Sequence, residues 1–176
     1  MKTKIQYFIA LGISMFMVAC AHCDYSDKSK ITAKLEPKSN SKVGGEIKVF
    51  ENSKGQVMAK LSINGLNANA KHGFHIHENG DCSSADGKSA GGHFAPEGHN
   101  HAGPEVKMRH LGDLGNITAD AEGMVNTEIE IVGANLKKGD KLSIVNRAFV
   151  VHAGADDLKT QPSGAAGKRI ACAVIK

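Results

Sequence analysis

The sequence predicts an all-β fold, a sandwich or barrel of short strands joined by glycine-rich turns, and three observations carry that prediction. Val57, Ala59, Leu61 and Ile63 alternate with Met58, Lys60 and Ser62, and Val125, Thr127, Ile129 and Ile131 alternate with Asn126, Glu128 and Glu130. Successive side chains of an extended strand point to opposite faces, so an apolar period of two marks a half-buried strand. No segment shows the long 3.6-residue period of an amphipathic helix. The 20 glycines and breakers such as Asn64-Gly65 and Lys138-Gly139-Asp140 punctuate the chain at short intervals, as tight turns require.

In chain order, Lys2 and Lys4 precede a 15-residue uncharged run from Ile5 to Ala19. That run is short for a membrane span and has the charge order of an export signal covering residues 1–23. Two endings fit it. Ala19-Cys20-Ala21 matches a signal-peptidase cleavage site that frees His22, and Met17-Val18-Ala19-Cys20 matches a bacterial lipobox that lipidates Cys20 and anchors the protein to the membrane. Either ending places the mature protein outside the cytoplasm, in a periplasm. Residues 24–30 are polar and read as a flexible lead-in. Strand candidates follow at 31–36, 46–51, 57–63, 73–78, 116–118, 125–131, 141–146, 149–152 and 169–175. Between 89 and 104 the composition shifts to Gly, Ala, His and Pro, a loop by its breakers.

Without the signal, 153 of the 176 residues remain, enough for one domain over 31–176 with a core of Val, Ile and Leu. Loss of Lys2 and Lys4 lowers the formal net charge from +4 to +2. No basic run with interleaved aromatics occurs and there is no tryptophan, so nothing supports nucleic-acid binding.

The histidines carry the chemistry. Six of the nine fall in one pattern: His75-Ile76-His77, His93, His101, His110 followed by Asp113, and a late His152. A tetrahedral site takes four ligands, so six imidazoles and one carboxylate suffice for two ions if one ring is shared. On a strand, His75 and His77 share a face while Ile76 turns into a core. Three imidazoles with a hard carboxylate lean toward zinc, leaving the all-histidine position for a redox metal such as copper. His99, two residues before His101, competes for the zinc set on spacing alone.

Five segments, GFHIHENGDCSS (73–84), GGHFAPEGHNHAGP (91–104), RHLGDLGNI (109–117), FVVHAGADDL (149–158) and AAGKRIACAVI (165–175), together resemble the copper,zinc superoxide dismutase family, in the family's order. The resemblance implies an eight-stranded Greek-key β-barrel with two long functional loops, at about 79–115 and 153–168. It implies one copper held by His75, His77, His93 and His152, and one zinc held by His93, His101, His110 and Asp113. Asp156 would accept hydrogen bonds from His75 and His101, Arg169 would receive superoxide beside the copper, and Cys82 and Cys172 would form a disulfide.

The implied reaction is dismutation of superoxide to oxygen and hydrogen peroxide, with His93 as both shared ligand and proton donor. It would protect the cell envelope. The resemblance favours His101 over His99, because the intervals 93, 101, 110 and 113 then match the family's, and His72 matches a family position that is structural. Lys159 and Lys168 could widen the positive field around Arg169, or be merely solvated. Only 16 residues separate His152 from Arg169, a short second loop whose charge pattern does not carry over from longer relatives. Monomer and homodimer both stay open. A metal-delivery protein on the same fold, without turnover, is the competing reading; the full copper set with Arg169 argues against it.

Overall fold

Each strand of this chain has one apolar face that it cannot bury alone, and the solution is a sheet curled on itself. A computed structural model describes residues 28–176. The export signal, both of its endings at Cys20 and the first part of the lead-in lie outside the described residues. Eight strands form: β1 (Lys28–Pro37), β2 (Gly44–Glu51), β3 (Val57–Asn64), β4 (Lys71–His77), β5 (Asp113–Thr118), β6 (Val125–Glu130), β7 (Ala148–His152) and β8 (Arg169–Val174). All seven pairings are antiparallel. They make one sheet in the order β5-β4-β7-β8-β1-β2-β3-β6. The chain therefore crosses the barrel between β3 and β4 and again between β6 and β7, and the expected eight-stranded all-β barrel is what forms.

The period-2 pattern dictates which side faces in. On β3, Val57, Ala59, Leu61 and Ile63 are buried and the residues between them are not. They meet Leu35, Ile47, Val49 and Ile117 in one continuous core. β4 and β7 differ because both of their faces are covered. Phe74 and Phe149 stack inside the barrel with ring centroids 5.4 Å apart. Ala148 and Val150 face the other way and pack with Ala90 and Cys172 in a second, smaller cluster. The two connections that leave these strands, residues 78–112 and 153–168, provide the outer cover.

The three largest differences from the sequence reading are these. β1 begins at Lys28, so residues 28–30 of the supposed lead-in are strand, with a register irregularity before Ile31. β5 begins at Asp113 because that residue pairs with His75, which shortens the first long loop. The candidate at 141–146 is not a strand. Asp140 caps Leu142 N and pairs with the Asn135 side chain, and the segment is turns with a single bridge between Asn135 and Ser143. Ile144 is fully buried, so its apolar spacing reflects plugging of the core from a loop.

Candidate metal centre

Strand β4 places the first two histidines. Phe74 and Ile76 enter the barrel core, and His75 and His77 therefore stand on the outer face beneath the loops. The first long loop is pressed onto that face by backbone bonds: Phe94 N donates to Ile76 O, Gly112 N to Phe94 O, and Ile76 N to Gly112 O. A Cβ at position 112 would lie 2.1 Å from Ile76 O, so this return pass admits only glycine. The same contact sets His93 in a bridge with His77 and brings His110 and Asp113 alongside. Three strands later in the chain, β7 pairs with β4 and ends at His152.

His75, His77, His93 and His152 converge with ligand-capable atoms all within 4.8 Å of one another. The His75 ring is central, 4.0 Å from His93 and 4.9 Å from His152 between centroids. One nitrogen of each ring is committed elsewhere. His77 Nδ1 donates to Gly91 O at 2.9 Å, His152 Nδ1 to Gly167 O at 3.1 Å, His75 Nε2 to Asp156 Oδ2 at 2.8 Å and His93 Nδ1 to Asp113 Oδ1 at 2.8 Å. These bonds leave the lone pair on the other nitrogen of each ring, as metal-ligating histidines require. Among the described residues, seven buried side-chain nitrogens have no hydrogen-bond partner, and His75 Nδ1, His77 Nε2, His93 Nε2 and His152 Nε2 are four of them. Four unpaired acceptors turned toward one another are costly unless a cation joins them, so the donor set fits copper.

His93, His101, His110 and Asp113 form a second group of the same tightness. Three ring Nδ1 atoms, of His93, His101 and His110, crowd on the single oxygen Asp113 Oδ1 at 2.8, 2.9 and 3.2 Å. Asp113 Oδ2 takes the backbone N–H of His110 and Ala102, which fixes the carboxylate in the loop. Burial pushes the Asp113 carboxyl up, but the donors outweigh it and hold it far below the usual range. His101 lies between two carboxylates, since its Nε2 donates to Asp156 Oδ1 at 3.0 Å. Its pKa is raised, burial being overcome by Asp113 and Asp156. Three imidazoles with one carboxylate fit zinc.

Asp156 links the two groups through His75 and His101, and its own position is fixed by Asn116, which donates Nδ2 to Asp156 O and accepts Asp156 N. Gly164 (φ 69°) leaves room for it: a Cβ there would overlap Asp156 Oδ1. The all-histidine group opens on a cavity of about 350 Å³, lined by His77, His93, His152, Pro162, Ser163 and Arg169 among others. Arg169 Nη1 donates to Gly87 O at 2.9 Å, leaving the rest of the guanidinium fork to the cavity. Cys82 and Cys172 are bonded. His99 belongs to neither group; its Nδ1 lies 3.3 Å from Arg109 O. His72 is buried, and its Nδ1 holds His152 O at 2.9 Å from behind. Lys159 and Lys168 are exposed. Sequence reasoning missed Pro162, Ser163, Gln161 and the Gly87 carbonyl, none of which belongs to a local ligand spacing.

The buried rings give the metal-free protein a pH signature. Burial, against the pull of Asp113, lowers His93 from 6.5 to about 4, and burial with the neighbouring His75 lowers His152 to about 3. Burial and His93 lower His77 as well. Above pH 6.5 these rings are neutral in both states and contribute nothing. Below it the unfolded chain binds protons that the folded chain refuses, so stability falls with pH down to the folded values. At pH ~5 the cost is about 2 kcal/mol per ring for His93 and His152, or roughly 10 °C in Tm for a domain of this size. Calorimetry of the oxidised, metal-free protein between pH 7 and 5 measures it; a flat Tm would mean that the rings titrate alike in the folded and unfolded chain.

The sequence profile described as copper/zinc superoxide dismutase (SODC) matches residues 43–175. The chain is 42% identical over 141 residues to "Superoxide dismutase [Cu-Zn] 2" of Aquifex aeolicus (strain VF5), covering 78% of this chain and 82% of that one. It is 45% identical over 140 residues to "Superoxide dismutase [Cu-Zn]" of Paramecium bursaria Chlorella virus 1, covering 76% and 72%. A crystal structure of a double mutant of a SOD-like protein from Bacillus subtilis superposes with a TM-score of 0.75 at 37% identity, covering 84% of this chain and 99% of that one. A profile that spans β2 to β8, both loops and both histidine groups leaves one reading: the chain belongs to the copper/zinc superoxide dismutase family.

Proposed function

We propose that this protein dismutates superoxide, with copper held by His75, His77, His93 and His152, and zinc held by His93, His101, His110 and Asp113. The observation that carries the reading is the set of four buried ring nitrogens without partners, three of them on rings that line a cavity shared with Arg169. Copper, when bound, supplies electron exchange, so that one superoxide leaves as oxygen and a second, with one electron and two protons, leaves as hydrogen peroxide.

The chain's own residues do the rest. Arg169 receives the anion: its guanidinium stays charged at any working pH and keeps donors free after bonding Gly87 O. His93 presents Nε2 to the cavity while Nδ1 faces Asp113, so it is the ring placed to hold and release a proton at the cavity floor. His72 and Asp156 fix the orientation of His152, His75 and His101. The zinc ligands order the 78–112 loop, which carries Gly87.

The test is metal analysis with a superoxide-removal assay. One copper and one zinc per chain with activity is expected, and activity without copper would sink the reading. Arg169→Ala is expected to keep both metals and to lose roughly tenfold in rate at low superoxide, the scale of a steering charge. Loss of copper in that variant would make Arg169 a structural residue instead.

The export reading of residues 1–23, joined to a disulfide that persists in oxidising compartments, supports work outside the cytoplasm. Mass spectrometry of the mature N-terminus separates an acylated Cys20 from a free His22. A homodimer would show as doubled mass by light scattering.

A further inference from the structure

We propose that Gln161 is a positioning residue for the zinc half of the centre, a role that rests on His101 being a zinc ligand. Its carboxamide oxygen accepts the backbone N–H of His101 at 2.9 Å, and its Nε2 donates to the carbonyl oxygen of His101 at 2.7 Å. These are the two bonds a neighbouring β-strand would make, supplied here by one side chain to a loop residue with no strand beside it. Nε2 also donates to Lys159 O at 3.2 Å, so both amide hydrogens are used and the orientation of the group is fixed by its partners.

The segment that presents Gln161 is closed on itself. Asp157 N donates to Gly164 O and Gly164 N to Thr160 O. The Asp157 carboxylate accepts the backbone N–H of Lys159 and Thr160, and the Thr160 hydroxyl donates to it as well. Gln161 therefore reaches His101 from a braced tip.

His101 is thus held by the 153–168 loop in two ways. Asp156 takes its ring Nε2, and Gln161 takes its main chain. Asp113 and Asp156 hold the two nitrogens of the ring, and the Gln161 pair holds the main chain that carries it, so the side chain approaches the zinc position from a fixed Cα. The next two residues, Pro162 and Ser163, line the mouth of the copper cavity, so the same amide ties the zinc loop to the rim through which substrate passes.

Loss of an outer partner of a ligand costs about 10- to 100-fold in metal affinity. Gln161 is exposed, so water competes for its bonds and the lower end, about tenfold, is expected. The experiment uses the full mature protein and two variants: Gln161→Met, which keeps the length and removes both bonds, and Gln161→Glu, which keeps an acceptor and loses the donor. Zinc affinity is read by chelator competition, the zinc position by the absorption bands of cobalt(II) bound there, and the 159–164 tip by hydrogen exchange.

The expected result is about tenfold weaker zinc in Gln161→Met, with Gln161→Glu in between. Altered cobalt bands, faster exchange at 159–164, unchanged copper affinity and an unchanged Tm of the metal-free protein should accompany it. Wild-type protein that binds zinc, with Gln161→Met within twofold of it, overturns the proposal while leaving the zinc reading intact. Equal weakening of copper and zinc with a lowered metal-free Tm also overturns it, since that marks general loss of structure. Wild-type protein that takes no zinc at this position overturns both.

Discussion

Replacing His75 by alanine is expected to strip copper from the purified protein and lower superoxide removal by at least about 100-fold, while zinc stays bound with roughly tenfold weaker affinity. The two effects come from the two nitrogens of one ring. Nδ1 is a buried acceptor without a partner, at the centre of the all-histidine group, with the His93 ring 4.0 Å away. Its loss leaves three nitrogens that no longer enclose a cation. Nε2 donates to Asp156, which also holds His101, so the alanine variant frees one arm of the carboxylate that orients His101. The barrel should persist, because Phe74 and Ile76 on the opposite face of β4 keep their places in the core. Copper and zinc by elemental analysis, with the rate measured on the same sample, check both halves. Full activity in a copper-free variant would refute the ligand assignment, and equal loss of both metals would show that the groups are one cooperative unit.

The parts of this site that could be read in the sequence are those set by local periodicity. His75-Ile76-His77 lies on β4 with its rings on one face because a strand has a period of two, and that holds whatever the rest of the chain does. β3 was legible for the same reason, since it has one wet face; β6 was legible as well, although within it only Val125 is buried and Thr127 is exposed. β5 was legible only from Asn116 onward, because His110, Gly112 and Gly115 look like loop while Asp113 becomes strand by pairing with His75. Leu142 and Ile144 misled in the opposite direction: burial under a loop imitates a strand's alternation over a few residues. Long-range contacts leave no local trace. Arg147 sits 4.3 Å over the Phe94 ring and donates to Glu78 O, bracing the loop beside His93, and Gly87 offers Arg169 only a backbone oxygen. Such partners depend on where two loops meet, which only the closed barrel decides.

Reduction of the Cys82–Cys172 bond in the metal-loaded protein is expected to lower Tm by about 10–15 °C and to slow superoxide removal at low substrate, with both metals retained. The bond joins residues 90 apart in sequence. Opening a loop of that length returns roughly 4–5 kcal/mol of chain entropy to the unfolded state, and a domain of this size loses a few degrees per kcal/mol. The functional effect has a separate origin. Cys82 lies in the 78–112 loop, five residues before Gly87, and Cys172 lies on β8, three residues after Arg169. The bond therefore pins the carbonyl that orients the guanidinium to the strand that carries it. Once it is open, Gly87 O can drift from Arg169 Nη1, and the arginine keeps its charge but loses its fixed fork. The Cys82→Ser variant, at the partly exposed end, should behave like the reduced protein, and Arg169→Ala made in that background should cost less than in the oxidised one. Two variants that act on one group are not additive. Full additivity would mean that the disulfide acts on the rate by some other route than Arg169, and a Tm shift below about 3 °C would mean that the loop is held by its backbone bonds alone.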